Sequence, residues 1–308
     1  MVGRRAGAAL GLTVRPATLD DADAVAEILD ECTRRYFDRP STVDDAVERL
    51  REGEPLVALL DEVPAGFSHV WTASHDEMRT FTRVRPSLKG HGVGTALLAG
   101  AERLAGDAAL LTATCWAADD GAPSVLESRG FDPLRFFQRM RVELPAAAAP
   151  TEPPAGVTLR PFVPGDDDAA VYLVYHEVFS DHWGGAQDEA SWWRENRDAG
   201  NAGYDPSLWL VAESDRETLG FLIAREREDE GETIGWVSLL GVAPAARGRG
   251  LGEALLTHGL AALRERGLRV AALNVDSENT SGALRLYRKV GMDPQPSFTI
   301  WGKRRNAT

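Results

Sequence analysis

The strongest constraint on this chain is a spacing that occurs twice. In "VRPSLKGHGVG" the residues Val84, Pro86, Lys89, Gly90, Gly92 and Gly94 stand against Val242, Pro244, Arg247, Gly248, Gly250 and Gly252 of "VAPAARGRGLG", each pair 158 positions apart. Upstream, "LTVRPATLDDADAVAEIL" and "VTLRPFVPGDDDAAVYLVY" hold Arg15 and Arg160 in register, 145 positions apart. Downstream, "RGFDP" answers "VGMDP", with Gly130 and Gly291 separated by 161 positions. Three ordered matches with so little drift mark an internal duplication, so both halves must approximate one fold. The Pro/Ala-rich stretch "LPAAAAPTEPPAG", Leu144 to Gly156, lacks an amphipathic pattern and separates the copies. The expected organisation is a first domain over residues 1–145, a linker over 146–156 and a second domain over 157–308.

Each copy opens as a short strand, an Asp-bearing turn and a helix. In the second copy "SLWLVAES" and "LGFLIARER" read as a hairpin around "DRET", and "TIGWVSLLGV" as a third strand running into the glycine-rich loop. Helices are expected from Leu251 to Arg266 and from Ser281 to Val290, with "LRVAALNV" a strand between them and "SFTIWG" a closing strand. Strands and helices alternate, which predicts an α/β (α+β) class with a mixed central sheet flanked by helices in each copy.

Bulk properties exclude several functions. A chain of 308 residues, 44% hydrophobic and 26% charged, is long enough for two globular cores. No apolar run approaches the roughly 18–20 residues of a spanning helix, and the short, glycine-broken opening reads as a frayed terminus. A net charge of -13 argues against a polyanionic partner such as nucleic acid and mildly favours a cationic small molecule. Cys32 and Cys115 form neither a disulfide framework nor a metal-ligand pattern. The expectation is a cytosolic monomer or homodimer without a metal.

The glycine loop supplies the chemistry. Amides at a helix mouth lack internal partners, and the helix dipole adds positive potential, so a strand–loop–helix junction attracts anions. Glycines at Gly248, Gly250 and Gly252 let a phosphate approach the backbone, and Arg247 and Arg249 add charge-assisted donors. No Gly-Lys-Ser/Thr occurs, and the loop reads GxGxG rather than GxGxxG, which sets aside the nucleotide P-loop and the dinucleotide fingerprint.

Val242-x-Pro244-x-x-Arg247-Gly248-x-Gly250-x-Gly252 resembles the acetyl-CoA pyrophosphate loop of the GNAT superfamily of N-acetyltransferases. The following "LNVDSENTSGALRLYRKVGM" is similar to that superfamily's next segment, with Asn279, Ala283, Tyr287, Gly291 and Met292 in its places. The resemblance covers the second half and, more faintly, the first. It implies that Leu240, Gly241 and Val242 pair with pantetheine and that residues 247–253, ending at Leu251, Gly252 and Glu253, hold the diphosphate. Asn279 and Ala283 join the cofactor site, and Tyr287 becomes the proton donor to the leaving thiolate. A phenol suits that role, since its reference pKa of about 10 exceeds a thiol's roughly 8.5. Tyr287 also lies on an apolar stripe with Ala283, Leu286 and Val290, so a core role is compatible.

Glu232 leads the candidates for general base, although "EREDEGE" around it has the look of a solvated hairpin tip. Ser238, His176 and His182 are weaker choices. Trp183, Trp192 and Trp193 fall where the fold builds its acceptor wall, and aromatic walls suit a cation or an apolar group. The two-copy architecture is similar to tandem members of the superfamily that acetylate a small thiol-bearing amine with one active carboxy-terminal copy. Those members carry Glu and Tyr at acceptor-facing positions where this chain has Trp236 and Asn274.

The first copy retains Val84, Lys89, Gly90, His91, Gly92, Val93 and Gly94 but has Ala118 and Leu126 in place of Asn279 and Tyr287. It is expected to hold a CoA phosphate and shape the cleft without a proton donor. The leading expectation is acetyl transfer from acetyl-CoA to the primary amine of a small molecule. Acetylation of a peptide or protein amino terminus, use of a longer acyl chain, and a non-catalytic acyl-CoA-binding sensor or scaffold are the alternatives.

Overall fold

The computed structural model describes residues 11–37, 41–73, 76–180, 185–197, 203–229, 232–277 and 282–304. The first half runs β1 (Leu12–Pro16), α1 (Ala22–Phe37), α2 (Val43–Arg51), β2 (Glu54–Leu60), β3 (Val63–Thr72), β4 (Glu77–Val84), α3 (Val93–Ala105), β5 (Leu110–Trp116), α4 (Ala122–Ser128) and β6 (Asp132–Glu143). The second runs β7 (Thr158–Pro161), α5 (Asp168–Phe179), α6 (Glu189–Arg197), β8 (Trp209–Ser214), β9 (Glu217–Asp229), β10 (Glu232–Val242), α7 (Leu251–Glu265), β11 (Val270–Asp276), α8 (Ala283–Lys289), β12 (Asp293–Pro294) and β13 (Phe298–Arg304). Among the described residues, no helix is long and apolar enough to cross a membrane.

The duplication is visible element by element. α4 and α8 keep the 161-residue offset at both ends, and β4 and β10 end at Val84 and Val242. Both halves secure their first strand with a forked ion pair. Arg15 reaches both carboxylate oxygens of Asp21, at 2.7 and 2.9 Å, and Arg160 does the same to Asp167 at 2.6 and 2.7 Å. The β2–β3 and β8–β9 hairpins turn through Asp61-Glu62 and Asp215-Arg216, all four with positive φ. That backbone matches the right-handed twist of the flanking strands.

The compact units differ from the sequence halves at their ends. The first comprises residues 1–137 and 296–308, the second residues 138–295. Within the first unit the strand order is β1-β2-β3-β4-β5-β13-β6. The "SFTIWG" segment therefore does not close the second copy. As β13 it pairs antiparallel with β5 from Phe298–Trp116 to Arg304–Leu110, and with β6 from Phe298–Phe137 to Gly302–Asp132. Phe298 lies 5.1 Å from the Trp116 ring and 5.2 Å from that of Phe137, while buried Trp301 joins a core with Leu98, Leu111 and Phe131. The alternation Phe298, Ile300, Gly302 on one side and Thr299, Trp301 on the other suits a strand paired on both edges.

The second unit orders β6-β11-β10-β9-β8-β7, with β12 on β6. Its core gathers Trp192 of α6, Trp209, Phe221, Leu222 and Ile223 of the sheet, and Leu255, Leu256, Leu260 and Leu263 of α7. The Pro/Ala-rich stretch is not a free spacer. Leu144 is fully buried and its amide donates to the Arg269 carbonyl at 2.7 Å, Ala148 donates to the Val290 carbonyl, and the Thr151 amide donates to the hydroxyl of buried Thr257. Composition could not reveal this, because alanine and proline pack as readily as they extend.

One buried polar side chain stands out in the first unit. His69 on β3 is fully buried among Phe67, Trp71 and Phe81, and its Nε2 has no hydrogen-bond partner among the described residues. Nδ1 faces the Glu52 carbonyl at 3.4 Å and the Glu52 carboxylate at 3.7 Å. Burial, reinforced by Arg49 and Arg83, pushes the imidazole down to about 4. The folded chain thus resists a proton that the unfolded chain accepts near pH 6.5. His69 should leave stability unaffected above pH 7 and withdraw up to about 3 kcal/mol as pH falls from 6.5 to 4. Denaturant titrations at pH 7 and pH 4.5 should show that drop, and His69→Phe should reduce it.

Candidate active site

Each copy contains a parallel strand pair that parts. β4 and β5 pair only from Glu77–Leu110 to Thr80–Ala113, although both continue, to Val84 and Trp116. β10 and β11 pair at Gly235–Ala271 and Trp236–Ala272 and then separate, while β10 continues to Val242 with β9 on its other edge. Backbone donors and acceptors along the parted edges of β4 and β10 therefore face a gap.

At the end of each gap the chain takes one 3-10 turn, Pro86–Leu88 or Pro244–Ala246, and enters the glycine loop. Gly90, Gly92, Gly248 and Gly250 have φ of 83°, 81°, 74° and 90°. Left-handed backbone is what glycine supplies cheaply. A Cβ at Gly90, Gly248 or Gly250 would meet nothing within 4 Å, so these glycines are required by conformation and line open space. Gly92 and Gly250 are the N-caps of α3 and α7 and make no side-chain cap. Among the described residues, no backbone hydrogen bond outside the helices uses the amides of residues 90–94 or 248–252. The result is two amide-lined concavities, each at a helix mouth.

α8 packs against the start of α7. A Cβ on Gly252 would lie 3.5 Å from Leu286 Cδ2, and Lys289 Nζ pairs with Glu253 Oε2 in the first turn of α7 at 2.6 Å. Tyr287 is 9% exposed, and burial alone pushes its phenol up to about 12. The hydroxyl therefore stays protonated throughout the physiological range. Arg247 folds back so that Nε donates to the Val242 carbonyl at 3.0 Å.

The copies differ where β10 passes the gap. Its register against β9 shifts between Val237 and Leu239, a bulge at Ser238. β4 pairs with β3 from Gly66–Val84 to Thr72–Met78 without any shift. Bulges re-aim backbone groups and gather next to active sites. Ser238 Oγ accepts from Arg225 Nε at 2.9 Å, and the Asn196 side chain on α6 accepts from the same guanidinium at 3.4 Å. The sequence held no spacing signal for this bulge, since one extra residue in a strand leaves the apolar pattern nearly intact.

The remaining expected site residues have varied surroundings. Glu232 starts β10, six positions before the bulge at Ser238 and so about 20 Å away at roughly 3.3 Å per residue. Its carboxylate accepts from Arg141 at 3.1 Å. A general base must come within about 3 Å of its proton or one water away, so the geometry does not support Glu232 in that role. Trp192 is core, 1% exposed, and Trp193 carries the Arg197 guanidinium 3.6 Å above its ring. Trp236 is half-buried with Arg227 and Arg139 over its ring at 4.5 and 5.5 Å, so its faces already hold cations. Asn274 is exposed on β11, and His176 Nδ1 lies 3.2 Å from Ser180 Oγ. His182, Trp183 and Asn279 lie outside the described residues.

This geometry has counterparts. Residues 22–131 and 170–292 each match the Acetyltransferase (GNAT) family. A mycothiol acetyltransferase of Stackebrandtia nassauensis is 33% identical over 301 residues, spanning 91% of this chain and 94% of the relative. One of Streptomyces avermitilis is 33% identical over 280 residues, spanning 88% and 87%. The crystal structure of a GCN5-related N-acetyltransferase from Sphaerobacter thermophilus superposes with a TM-score of 0.81 at 26% identity, covering 96% of this chain and 97% of that one. A tandem GNAT protein from the clavulanic acid biosynthesis pathway shares the fold, with a TM-score of 0.71 at 17% identity over 97% and 100% of the two chains. Two family matches, two parted strand pairs and two left-handed glycine loops lead to one conclusion: the chain is a tandem N-acetyltransferase of the GNAT family.

Proposed function

We propose that the chain transfers acetyl from acetyl-CoA to the primary amine of a small molecule, in a ternary complex, with the second copy as the catalytic one. The observations that support this reading meet in that copy: parted strands with a bulge, an amide-lined loop, and a buried protonated phenol on α8, the helix whose Leu286 and Lys289 reach the start of α7. The first copy has the strands and the loop but Leu126 in place of the phenol.

The diphosphate of acetyl-CoA fits the amides of residues 248–252, with charge from Arg247 and Arg249. Pantetheine lies along Leu240, Gly241 and Val242, where β10 has lost its partner strand. The bulge turns a backbone N–H toward the thioester carbonyl and stabilises the charge that develops there. The amine nitrogen bonds to the carbonyl carbon, the carbon–sulfur bond breaks, the thiolate takes the Tyr287 proton, and the proton released from the amine passes to water and restores the phenol. The relatives are named mycothiol acetyltransferases, which points to a small-molecule acceptor. Trp236 with its two arginines and exposed Asn274 then set which amine is accepted.

Tyr287→Phe should lower kcat about 10²–10⁴-fold, the usual contribution of a positioned acid, with little change in the KM for acetyl-CoA. Thiol release followed with DTNB across a panel of amines reads this directly, and unchanged turnover removes Tyr287 from the reaction. With a phenol at about 12, the wild-type kcat should show no alkaline loss attributable to Tyr287 below about pH 11.

Gly250→Ala forces a side chain onto a residue with φ of 90°. The strain of about 1–2 kcal/mol should raise the KM for acetyl-CoA several-fold and lower the melting temperature. A variant with wild-type affinity would show that this backbone conformation does not hold the diphosphate.

A further inference from the structure

One arginine ties the bulge of β10 to α6. In register Arg225 on β9 stands opposite Trp236, and Ser238 is the residue left over by the shift between Val237 and Leu239. The Arg225 guanidinium reaches along the ladder: Nε donates to Ser238 Oγ at 2.9 Å, and a terminal nitrogen donates to Asn196 Oδ1 at 3.4 Å. Asn196 on α6 is itself buried, and its Nδ2 donates to the carbonyl of Trp192 in the core at 2.8 Å. We propose that Arg225 is a positioning residue that fixes the Ser238 bulge, so that the amide there stays aimed at the thioester carbonyl. The proposal rests on the reading above that the second copy binds acetyl-CoA along β10 and polarises its carbonyl at the bulge.

A bulge leaves one residue outside the ladder, so strand pairing alone does not hold that residue in one orientation. A side-chain bond to Ser238 supplies the restraint, and a cationic donor makes it stronger than a neutral one. The cation sits there against a penalty. Arg225 is partly buried, and burial draws its guanidinium below the ordinary value, opposed by Glu195 and reinforced by Arg227. A buried charge is unfavourable unless hydrogen bonds compensate it. Here two of those bonds go to the bulge and to α6, so the same contacts that satisfy the guanidinium join the strand to the helix.

The first copy lacks both the bulge and the arginine. Gly66 pairs with Val84 as Gly220 pairs with Val242, which aligns the two hairpins residue by residue. Four residues before Val84 stands Thr80 in place of Ser238, and five after Gly66 stands Trp71 in place of Arg225. The Thr80 hydroxyl meets that of Ser68 at 3.1 Å, and β4 runs past it without a shift. Arginine and bulge thus occur together in the copy that carries Tyr287.

The test uses the full chain with acetyl-CoA labelled with carbon-13 at the carbonyl, in the absence of an amine. Infrared difference spectra read the carbonyl stretch of the bound thioester, which moves to lower frequency when a donor polarises the bond. Thiol release with DTNB gives kcat and KM for wild type, Arg225→Met, Arg225→Lys, Ser238→Ala and the Arg225→Met/Ser238→Ala double variant. The wild type should lower the band. Arg225→Met and Ser238→Ala should each return it toward that of free acetyl-CoA and reduce kcat about 10²-fold, the lower end of what losing an oxyanion donor costs. The KM for acetyl-CoA should stay unchanged. The double variant should be no slower than either single one, because both break the same link, and Arg225→Lys should recover part of kcat.

A full carbonyl shift retained in Arg225→Met or Ser238→Ala overturns the proposal, as do losses that multiply in the double variant. A raised KM for the amine with the carbonyl band unmoved would make Arg225 an acceptor contact and overturns it too. Should Arg225→Met not fold, Ser238→Ala, which removes a single hydroxyl, decides alone. Failure of the underlying reading looks different: the wild type itself would then leave the band where free acetyl-CoA has it, and both would fall together.

Discussion

The architecture turns on the early separation of a parallel strand pair. Buried backbone donors and acceptors are almost always paired, and leaving one without a partner costs on the order of 1–3 kcal/mol. A sheet that opens along β10 beyond Trp236 and along β4 beyond Thr80 is therefore built for something that completes it. The left-handed glycines, the bare helix mouths and the helices packed behind them all sit at the ends of these two openings. Without the opening, the loop would be only a surface turn.

The copies separate what backbone demands from what side chains add. Both keep the 3-10 turn, the two positive-φ glycines and the forked Arg–Asp pair, because each is fixed by local geometry. They diverge in the bulge at Ser238, in Tyr287 against Leu126, and in the loop cation's partner, Asp119 for Lys89 and the Val242 carbonyl for Arg247. These differences alter chemistry while leaving the fold alone.

The glycine loops were legible because φ > 0 and close approach narrow the choice to one residue type, and the 158-residue spacing made chance agreement untenable. The central strands were legible from their apolar runs. The destination of "SFTIWG" was not, because a strand's pattern states which face is buried and not which neighbour it joins. The packed state of residues 144–151 was hidden for a related reason, since its anchors are backbone amides and one threonine. The tryptophans of α6 drew a functional reading from their chemistry, and their contacts with Tyr175 and Phe221 make Trp192 core. Residue type alone singles out Glu232, and only its position on β10 shows that it stands six residues before the bulge at Ser238.

The placement of β13 carries a temporal consequence. Residues 138–295 form a contiguous unit, whereas the sheet of residues 1–137 lacks an internal strand until residues 298–304 arrive. On the ribosome the amino-terminal portion must wait, with an edge of β5 exposed, while the later portion can already close its core. Vectorial synthesis is thereby inverted: the half made first is the half finished last.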